Sequence, residues 1–480
     1  MTAADPQKIE AHLQRHGQQH LLRFRNELTA TELSGLLEQI ALVDFDLIAT
    51  SPDQSRAAES ADDSKSTRAD RAAAPQQVIR QPRSETDTRL RTEAAAAGEE
   101  LLAEGRVAVI TVAGGQGTRL GLDQPKGMFP IGPCSDRTLF QIFAEQILAR
   151  RRRHGAALPW YLMTSEVTHA DTQAFFALHN YFDLSRDTVF FFRQGNLPAV
   201  DADSGAVLMS SRSALCSSPD GHGGMVAALK NSGCLQQMAG HGIEHLFYHQ
   251  VDNPTVILCD PVMLGLHAQR RSQITTNVVH KTDASERMGV LVDLDSRTEI
   301  IEYSELTPEQ TAACDADGQW IFWAGNTAIH VFRRDFLEYL TEEGIRLPLH
   351  QARKKVVHID TAGRPIEPME PNAIKFERFI FDALPMAERT LIVEGDRQQE
   401  FNPVKNADGQ DSPETARAAL SAIGRQWLQE AGYVVPGETA VEISPLIALD
   451  AKELTTRLTQ GDVTVNDLVC GSVSPFSTGR

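Results

Sequence analysis

Residues Val107–Phe140, VAVITVAGGQGTRLGLDQPKGMFPIGPCSDRTLF, constrain the fold of this chain more than any other stretch. The run from Val107 to Val112 is apolar or β-branched throughout, with no polar alternation. That is the pattern of a strand covered on both faces of a parallel sheet. It passes directly into Ala113-Gly114-Gly115-Gln116-Gly117-Thr118-Arg119-Leu120-Gly121. A glycine-rich turn at the carboxyl end of a buried strand lets bare backbone N–H groups approach an anionic or planar ligand, so Ala113, Gly114 and Gly115 are candidate contacts for such a ligand. Arg119 supplies a planar guanidinium suited to phosphate oxygens, and Lys126, fixed behind Pro125, a mobile ammonium. A purely structural strand-to-helix turn is the competing reading of the same residues. Two phosphate motifs are excluded. A Walker loop ends Gly-Lys-Ser/Thr, whereas this segment ends Arg-Leu-Gly, and Leu120 stands where a dinucleotide fingerprint needs its last glycine.

With 480 residues the chain exceeds what one hydrophobic core supports, and two or three domains are expected. Apolar strands alternate with helical stretches from about residue 107 to 395: Val107–Val112, Trp160–Thr164, Val189–Arg193, Leu246–Val251. This is a βαβ rhythm, and the fold class it predicts is α/β. The runs ITTNVVHK, MGVLVD and EIIEY then read as closely spaced strands, more like an antiparallel addition. Residues 1–104 are expected to form a helical amino-terminal region, with Thr31 as an N-cap and a mobile linker over about 51–92. Residues 105–410 are expected to be the central catalytic domain, and 411–480 a helix followed by a small β-containing lobe. Ser135 or Asp136 is expected to cap the helix that follows the glycine-rich segment.

Six scattered cysteines without a C-x-x-C pair fit reduced thiols in a cytoplasmic protein. No apolar run is long enough to span a bilayer, and the polar amino terminus lacks a secretory signal, so no membrane partner is expected. The formal charge of −18 argues against nucleic acid. Any site for a polyanion must therefore concentrate its own positive charge.

GGQGTRLG followed by QPKGMFPIG and TLFQIFAEQI resembles the signature of the eukaryotic-type UDP-N-acetylhexosamine pyrophosphorylases, which belong with the UDP-glucose pyrophosphorylases. The resemblance covers roughly residues 105–445. It implies a Rossmann-like nucleotidyltransferase fold (GT-A-like), a mixed sheet flanked by helices, and a uridylyltransferase joining UTP to a sugar 1-phosphate with Mg²⁺.

In open α/β sheets, ligands gather beyond the carboxyl ends of strands, so polar residues there are candidates. Gln194, after the strand ending at Arg193, carries a donor and an acceptor, as reading a uracil edge requires; a surface-loop glutamine is the alternative. Asp252, ending the strand that precedes it, is placed to hold Mg²⁺ or to cap the next helix. In Pro219-Asp220-Gly221-His222-Gly223-Gly224 the resemblance puts Gly221 near the uridine. His222 stands where the family has an asparagine on the sugar, and glucose-specific relatives carry a Gly-His-Gly triplet there. The resemblance further assigns Glu302, Tyr303 and Asn326 (EYSE and AGN), Lys375, Phe379 and Phe381 to the sugar, and Lys405 to the phosphates. Phe379 and Phe381 alternate and are expected on one strand face. The leading substrate is N-acetylglucosamine 1-phosphate. The alternatives are glucose 1-phosphate or a broader range of sugar phosphates, and a non-catalytic nucleotide-sugar-binding regulator.

Overall fold

The run Val107–Val112 is a central strand of a ten-stranded mixed sheet, as its unbroken apolar character requires. The computed structural model describes residues 6–49 and 68–470. The chain divides into two compact units rather than the three consecutive segments expected. Unit 1 combines the described part of Met1–Asp70 with Gln194–Met225 and Arg346–Asp382; unit 2 comprises Arg71–Arg193, Val226–Ile345 and Ala383–Arg480. Interleaving of this kind leaves no boundary signal in the sequence.

In unit 2 the main strands are β1 Val78–Ile79, β2 Val107–Val112, β3 Trp160–Thr164, β4 Val189–Arg193, β5 His245–Gln250, β6 Ile274–His280, β7 Ala324–Arg333 and β8 Thr390–Glu394. Their order across the sheet is β1-β8-β6-β7-β5-β2-β3-β4. The neighbours β5, β2, β3 and β4 are mutually parallel, whereas β7 runs antiparallel between β5 and β6. A hairpin, Val290–Leu294 with Arg297–Ile301, joins β7. From β2 the chain proceeds to β3 and β4 on one side and reaches β5 on the other. The carboxyl ends of β2 and β5 are therefore a topological switch point, where α/β sheets bind ligands.

Helices α1 Glu85–Ala103, α2 Leu139–His154, α3 Pro261–Gln269, α4 Pro413–Glu430 and α5 Ala451–Gln460 belong to the same unit. Helix α2 buries Leu139, Phe140, Phe143 and Ile147 in the core that holds Val109, Trp160 and Leu162. Its cap is Thr138, whose side chain accepts from the Gln141 N–H, not Ser135 or Asp136. The linker expectation also needs correction. Residues 51–67 lie outside the described residues, but 68–71 are helical, Val78 and Ile79 pair with Ile392 and Val393, and α1 begins at Glu85, capped by Ser84. The expected β-containing carboxyl lobe is helical instead. Leu454 and Leu458 of α5 pack with Leu428 of α4 and with Val435, Val441 and Leu468, while among the described residues of this segment only an isolated bridge, Val441 to Val469, is β-like.

Cys134 and Cys470 are disulfide-bonded with Cα atoms 5.4 Å apart, which corrects the expectation of uniformly reduced thiols; Cys216, Cys234, Cys259 and Cys314 are free. A separation of 336 residues gives no local signal, because only the packing of the carboxyl-terminal segment brings the two thiols together.

Unit 1 packs its amino-terminal helices, among them Pro6–Arg15 and Ala30–Ala41, through Ile9, Leu13, Leu36 and Ile40 against Val200, Val207, Ile374 and Phe376. Those last residues belong to or adjoin a small antiparallel sheet of His350–Lys354, Ala373–Glu377 and Val200–Asp201. The second helix is capped by Thr29 in a reciprocal box with Glu32, two residues before the Thr31 expected. Among the described residues, no helix is long and apolar enough to cross a membrane.

Candidate active site

Parallel pairing of β2 with β5 puts Val112 opposite Gln250, and Val251 N–H donates to Val112 O at 3.1 Å. The residues that follow these strands, Ala113 and Asp252, therefore emerge side by side. The glycine-rich turn folds back on the lysine segment: Lys126 N–H donates to Gly115 O at 3.1 Å and Gly117 N–H to Gln124 O at 2.8 Å. That return places Lys126 Nζ 3.5 Å from Asp252 Oδ2, both side chains largely buried at 18% and 15% exposure. Lys126 Nζ also donates to Val404 O at 3.4 Å, while Val404 N–H donates to Asp252 O at 2.8 Å. The Phe401–Lys405 segment is thus stitched to the Asp252 turn, with Lys405 Nζ 5.5 Å from the Phe401 ring centroid. Arg119 is exposed, and its guanidinium has no hydrogen bond or ion pair among the described residues. Asp252 is not a helix cap: Asp260 caps α3 through the Val262 and Met263 N–H groups. No group of three or more His, Cys, Asp or Glu side chains among the described residues is arranged to hold a metal ion.

Glu302 and Asn326 converge on Gly289. Asn326 N–H donates to Gly289 O at 2.8 Å, and a Cβ at Gly289 would fall 2.8 Å from Glu302 Oε1. Gly289 is the residue that allows this close approach, although in the sequence its segment is marked only as a strand. Glu302 opens the short 3₁₀ turn Tyr303–Glu305, its backbone N–H donating to Glu305 Oε1 at 3.1 Å, and Tyr303 is exposed.

The remaining candidates lie in unit 1. Asp220 N–H donates to Gly195 O at 3.0 Å, Arg378 N–H to Asp220 O at 2.8 Å, and Gly223 N–H to Arg378 O at 2.8 Å. These bonds bring together the segments carrying Gln194, Gly221, His222, Phe379 and Phe381. Gly221 has φ +82°, and a Cβ there would collide with the Arg378 carbonyl, so only glycine fits without strain. The His222 ring stacks on Phe379 at 5.3 Å between centroids and lies 5.6 Å from Phe381. Ile380 N–H donates to His222 Nδ1 at 3.1 Å, which leaves the ring proton on Nε2. Burial, helped by the charge of His350, lowers the imidazole pKa to about 4, so this donor is neutral at physiological pH. Phe379 and Phe381 do not share a strand face as expected. The strand ends at Glu377, and Phe381 belongs to the 3₁₀ turn Ile380–Met386, which brings the two rings to 5.0 Å by a different route. Lys375 lies on the strand Ala373–Glu377, where its charge partly offsets the burial that raises the Cys216 thiol to about 11.

Three further residues, two in unit 2 and one in unit 1, hold the candidate residues of their own unit without standing out in the sequence. Asn253, 3% exposed, donates through Nδ2 to Glu400 O at 2.7 Å and accepts from Asn402 N–H at 3.2 Å, so it holds the Lys405 segment against the Asp252 turn. Glu400 is pushed up to about 7 by burial, yet accepts from Asn277 Nδ2 at 2.8 Å. Arg378 lies 3.7 Å from Asp220 Oδ2, where it partly offsets the burial that raises this carboxyl to about 6. Asn253 has one visible signal, its place in Val-Asp-Asn; the other two have none.

A family model described as UTP–glucose-1-phosphate uridylyltransferase matches residues 55–457. The human "UDP-N-acetylhexosamine pyrophosphorylase-like protein 1" is 39% identical over 443 residues, covering 89% of this chain and 86% of that protein. The UDP-N-acetylglucosamine pyrophosphorylase of Saccharomyces cerevisiae is 38% identical over 366 residues, covering 74% and 77%. Among solved structures, the uridine diphosphate N-acetylglucosamine pyrophosphorylase of Trypanosoma brucei in complex with inhibitor superposes with a TM-score of 0.79 at 27% identity, covering 94% of this chain and 95% of that one. A Leishmania major UDP-glucose pyrophosphorylase shares the fold at a TM-score of 0.55 and 21% identity, covering 70% and 68%. The nucleotidyltransferase fold, the extent of the family match and the identity to these relatives establish that the chain belongs to the UTP–glucose-1-phosphate uridylyltransferase family.

Proposed function

We propose that the protein forms UDP-N-acetylglucosamine and pyrophosphate from UTP and N-acetylglucosamine 1-phosphate. The observation that carries this reading is the Lys126–Asp252 pair, 3.5 Å apart at a switch point of the sheet and beside a glycine-rich turn. A phosphate oxygen of the sugar phosphate attacks the α-phosphorus of UTP. The bond from that phosphorus to the bridging oxygen breaks, and its electron pair leaves with pyrophosphate. The nucleophile is already an anion and the leaving group a good one, so no general base is needed. The obstacle is repulsion between two polyanions, which positioning and charge neutralisation overcome. We assign Arg119 and Lys126 to the triphosphate and Lys405 to the sugar phosphate, with backbone N–H groups of Ala113, Gly114 and Gly115 beside the nucleotide. Asp252 offers a single carboxylate, which suits Mg²⁺, an ion usually bound by one or two carboxylates with phosphates and waters completing its shell. When bound there, Mg²⁺ would neutralise phosphate charge.

In unit 1 we assign Gln194 and Gly221 to the uridine, and His222, Lys375, Phe379 and Phe381 to the sugar; in unit 2 we assign Glu302, Tyr303 and Asn326 to the sugar. The names of the human and yeast relatives favour an N-acetylhexosamine substrate. The second reading, glucose 1-phosphate, rests on His222, which offers one Nε2–H donor where an asparagine would offer a donor and an acceptor. We place the reaction in the cytoplasm, in keeping with the four free thiols. Pyrophosphate release from UTP with each sugar phosphate, with magnesium and with chelator, tests these readings together. N-acetylglucosamine 1-phosphate is expected to be preferred, and His222→Asn to widen that preference up to tenfold. A strong preference for glucose 1-phosphate refutes the choice of sugar, and UDP-sugar binding without turnover refutes the enzyme.

A further inference from the structure

Away from the Lys126–Asp252 pair, unit 2 contains a cavity of roughly 280 Å³ at the end of the β6–β7 pair where His280 lies opposite Ala324. Its walls combine groups that the proposed reaction does not use. Trp320 and His280 present aromatic surface, with the imidazole 6.1 Å from the Trp320 ring and 5.2 Å from the ring of Trp323, which lies buried behind them. Trp323 is 2% exposed, yet its indole Nε1–H is buried without a hydrogen-bond partner among the described residues. An unmet buried donor of this kind is costly. Arg80 lies 3.6 Å above the Trp323 ring and only 3.7 Å from Glu394, a loose ion pair. Arg83, exposed and also lining the cavity, makes no side-chain hydrogen bond or close ion pair among the described residues, although its charge acts on Asp87. Asp315 spends one carboxylate oxygen on the Asp317 and Gln319 N–H groups, both at 2.9 Å, and leaves the other free.

We infer that this cavity is a second, non-catalytic site for a nucleoside monophosphate. Two guanidiniums suit a phosphate, and a free carboxylate oxygen suits ribose hydroxyls. The Trp320 indole and the His280 imidazole suit a planar base, and stacking of that kind tolerates any base. A phosphate alone would leave the aromatic walls and Asp315 without a role. The cavity is distinct from the glycine-rich turn, so the inference stands whichever sugar the enzyme takes.

The test uses the full chain and UMP, followed by tryptophan fluorescence, because Trp320 and Trp323 line the cavity. Saturable quenching is expected. It should weaken at least tenfold in Arg83→Ala, whose exposed side chain carries little folding risk, while kcat and KM for UTP stay unchanged. Quenching should persist in Arg119→Ala, which separates this site from the triphosphate loop. Inorganic phosphate at equal concentration should not compete. Unchanged quenching in Arg83→Ala, loss of quenching in Arg119→Ala, or equal competition by inorganic phosphate each overturns the inference.

Discussion

The Lys126–Asp252 cluster of unit 2 and the loops of unit 1 that carry Gln194, Gly221 and His222 are built by different means. In unit 2 the backbone of parallel strands delivers Ala113 and Asp252 to adjacent positions, and a short return loop adds Lys126. In unit 1 Lys375 stands on a strand, but His222, Phe379 and Phe381 do not. Three loops are tied to one another by backbone hydrogen bonds through Gly195, Asp220, Gly223 and Arg378, and a left-handed glycine permits the approach. Strand-end chemistry is anchored in a sheet core and resists change, whereas loop-knit chemistry depends on each close contact and can vary its side chains. His222, held among Phe379, Phe381 and the Ile380 N–H, is a side chain of the second kind.

The sharpest way to break this comparison is Lys126→Ala. Losing one charge-assisted contact to a reacting phosphate costs about 3 kcal/mol of barrier, or about a hundredfold in rate. Turnover should fall at least that far while the protein still folds, with a melting temperature lowered because Asp252 loses its buried partner; near-normal turnover would remove Lys126 from the mechanism. A smaller effect concerns β5, the strand that leads to Asp252. Burial lowers His249 to about 3, against about 6.5 when unfolded. The folded pKa is depressed, so this histidine's contribution is complete above about pH 6.5 and is lost as pH falls towards the folded value. Its share of the slope is about 1.4 kcal/mol per pH unit. Chemical denaturation across pH 4.5–6.5 should therefore show a slope shallower by about that amount in His249→Gln. Glu400 and Asp220, both raised, run in the opposite direction and are common to both proteins, so they cancel in the difference. An identical slope would contradict a buried neutral His249. Smallest is Gly221→Ala, which forces φ +82° on an alanine against the Arg378 carbonyl and should cost about 2 kcal/mol of stability. KM for UTP should rise with kcat within a few-fold, the reverse of Lys126→Ala. If kcat falls instead and KM stays, the two halves do not divide the work as proposed.

Legibility follows the same division. Strands β2, β3 and β4 are legible to the residue, because a short apolar run without alternation between turn signals fits a strand covered on both faces. Helix α2 is legible but its cap is not, since Ser135, Asp136 and Thr138 are equally good caps in isolation and the chain path selects one. The carboxyl-terminal segment misleads because its β-branched and polar residues resemble short strands, while packing of Leu454 and Leu458 on α4 decides for helix. At the site, the glycine-rich turn, Lys126 and Asp252 are visible from motif and position. Asn253, Gly289, Arg378 and Glu400 act only through partners distant in the chain.

By itself the sequence determined a buried parallel strand ending in a cation-bearing glycine turn, an α/β sheet and the family, because those depend on local periodicity and on residue types at short spacing. Only the tertiary structure decided that the amino-terminal helices pack with residues 194–225 and 346–382, that Cys134 meets Cys470, and that Lys126 faces Asp252. Such pairings join residues far apart in the chain. The entropy of closing those loops is recovered only when the whole core is buried, so no short stretch carries their record.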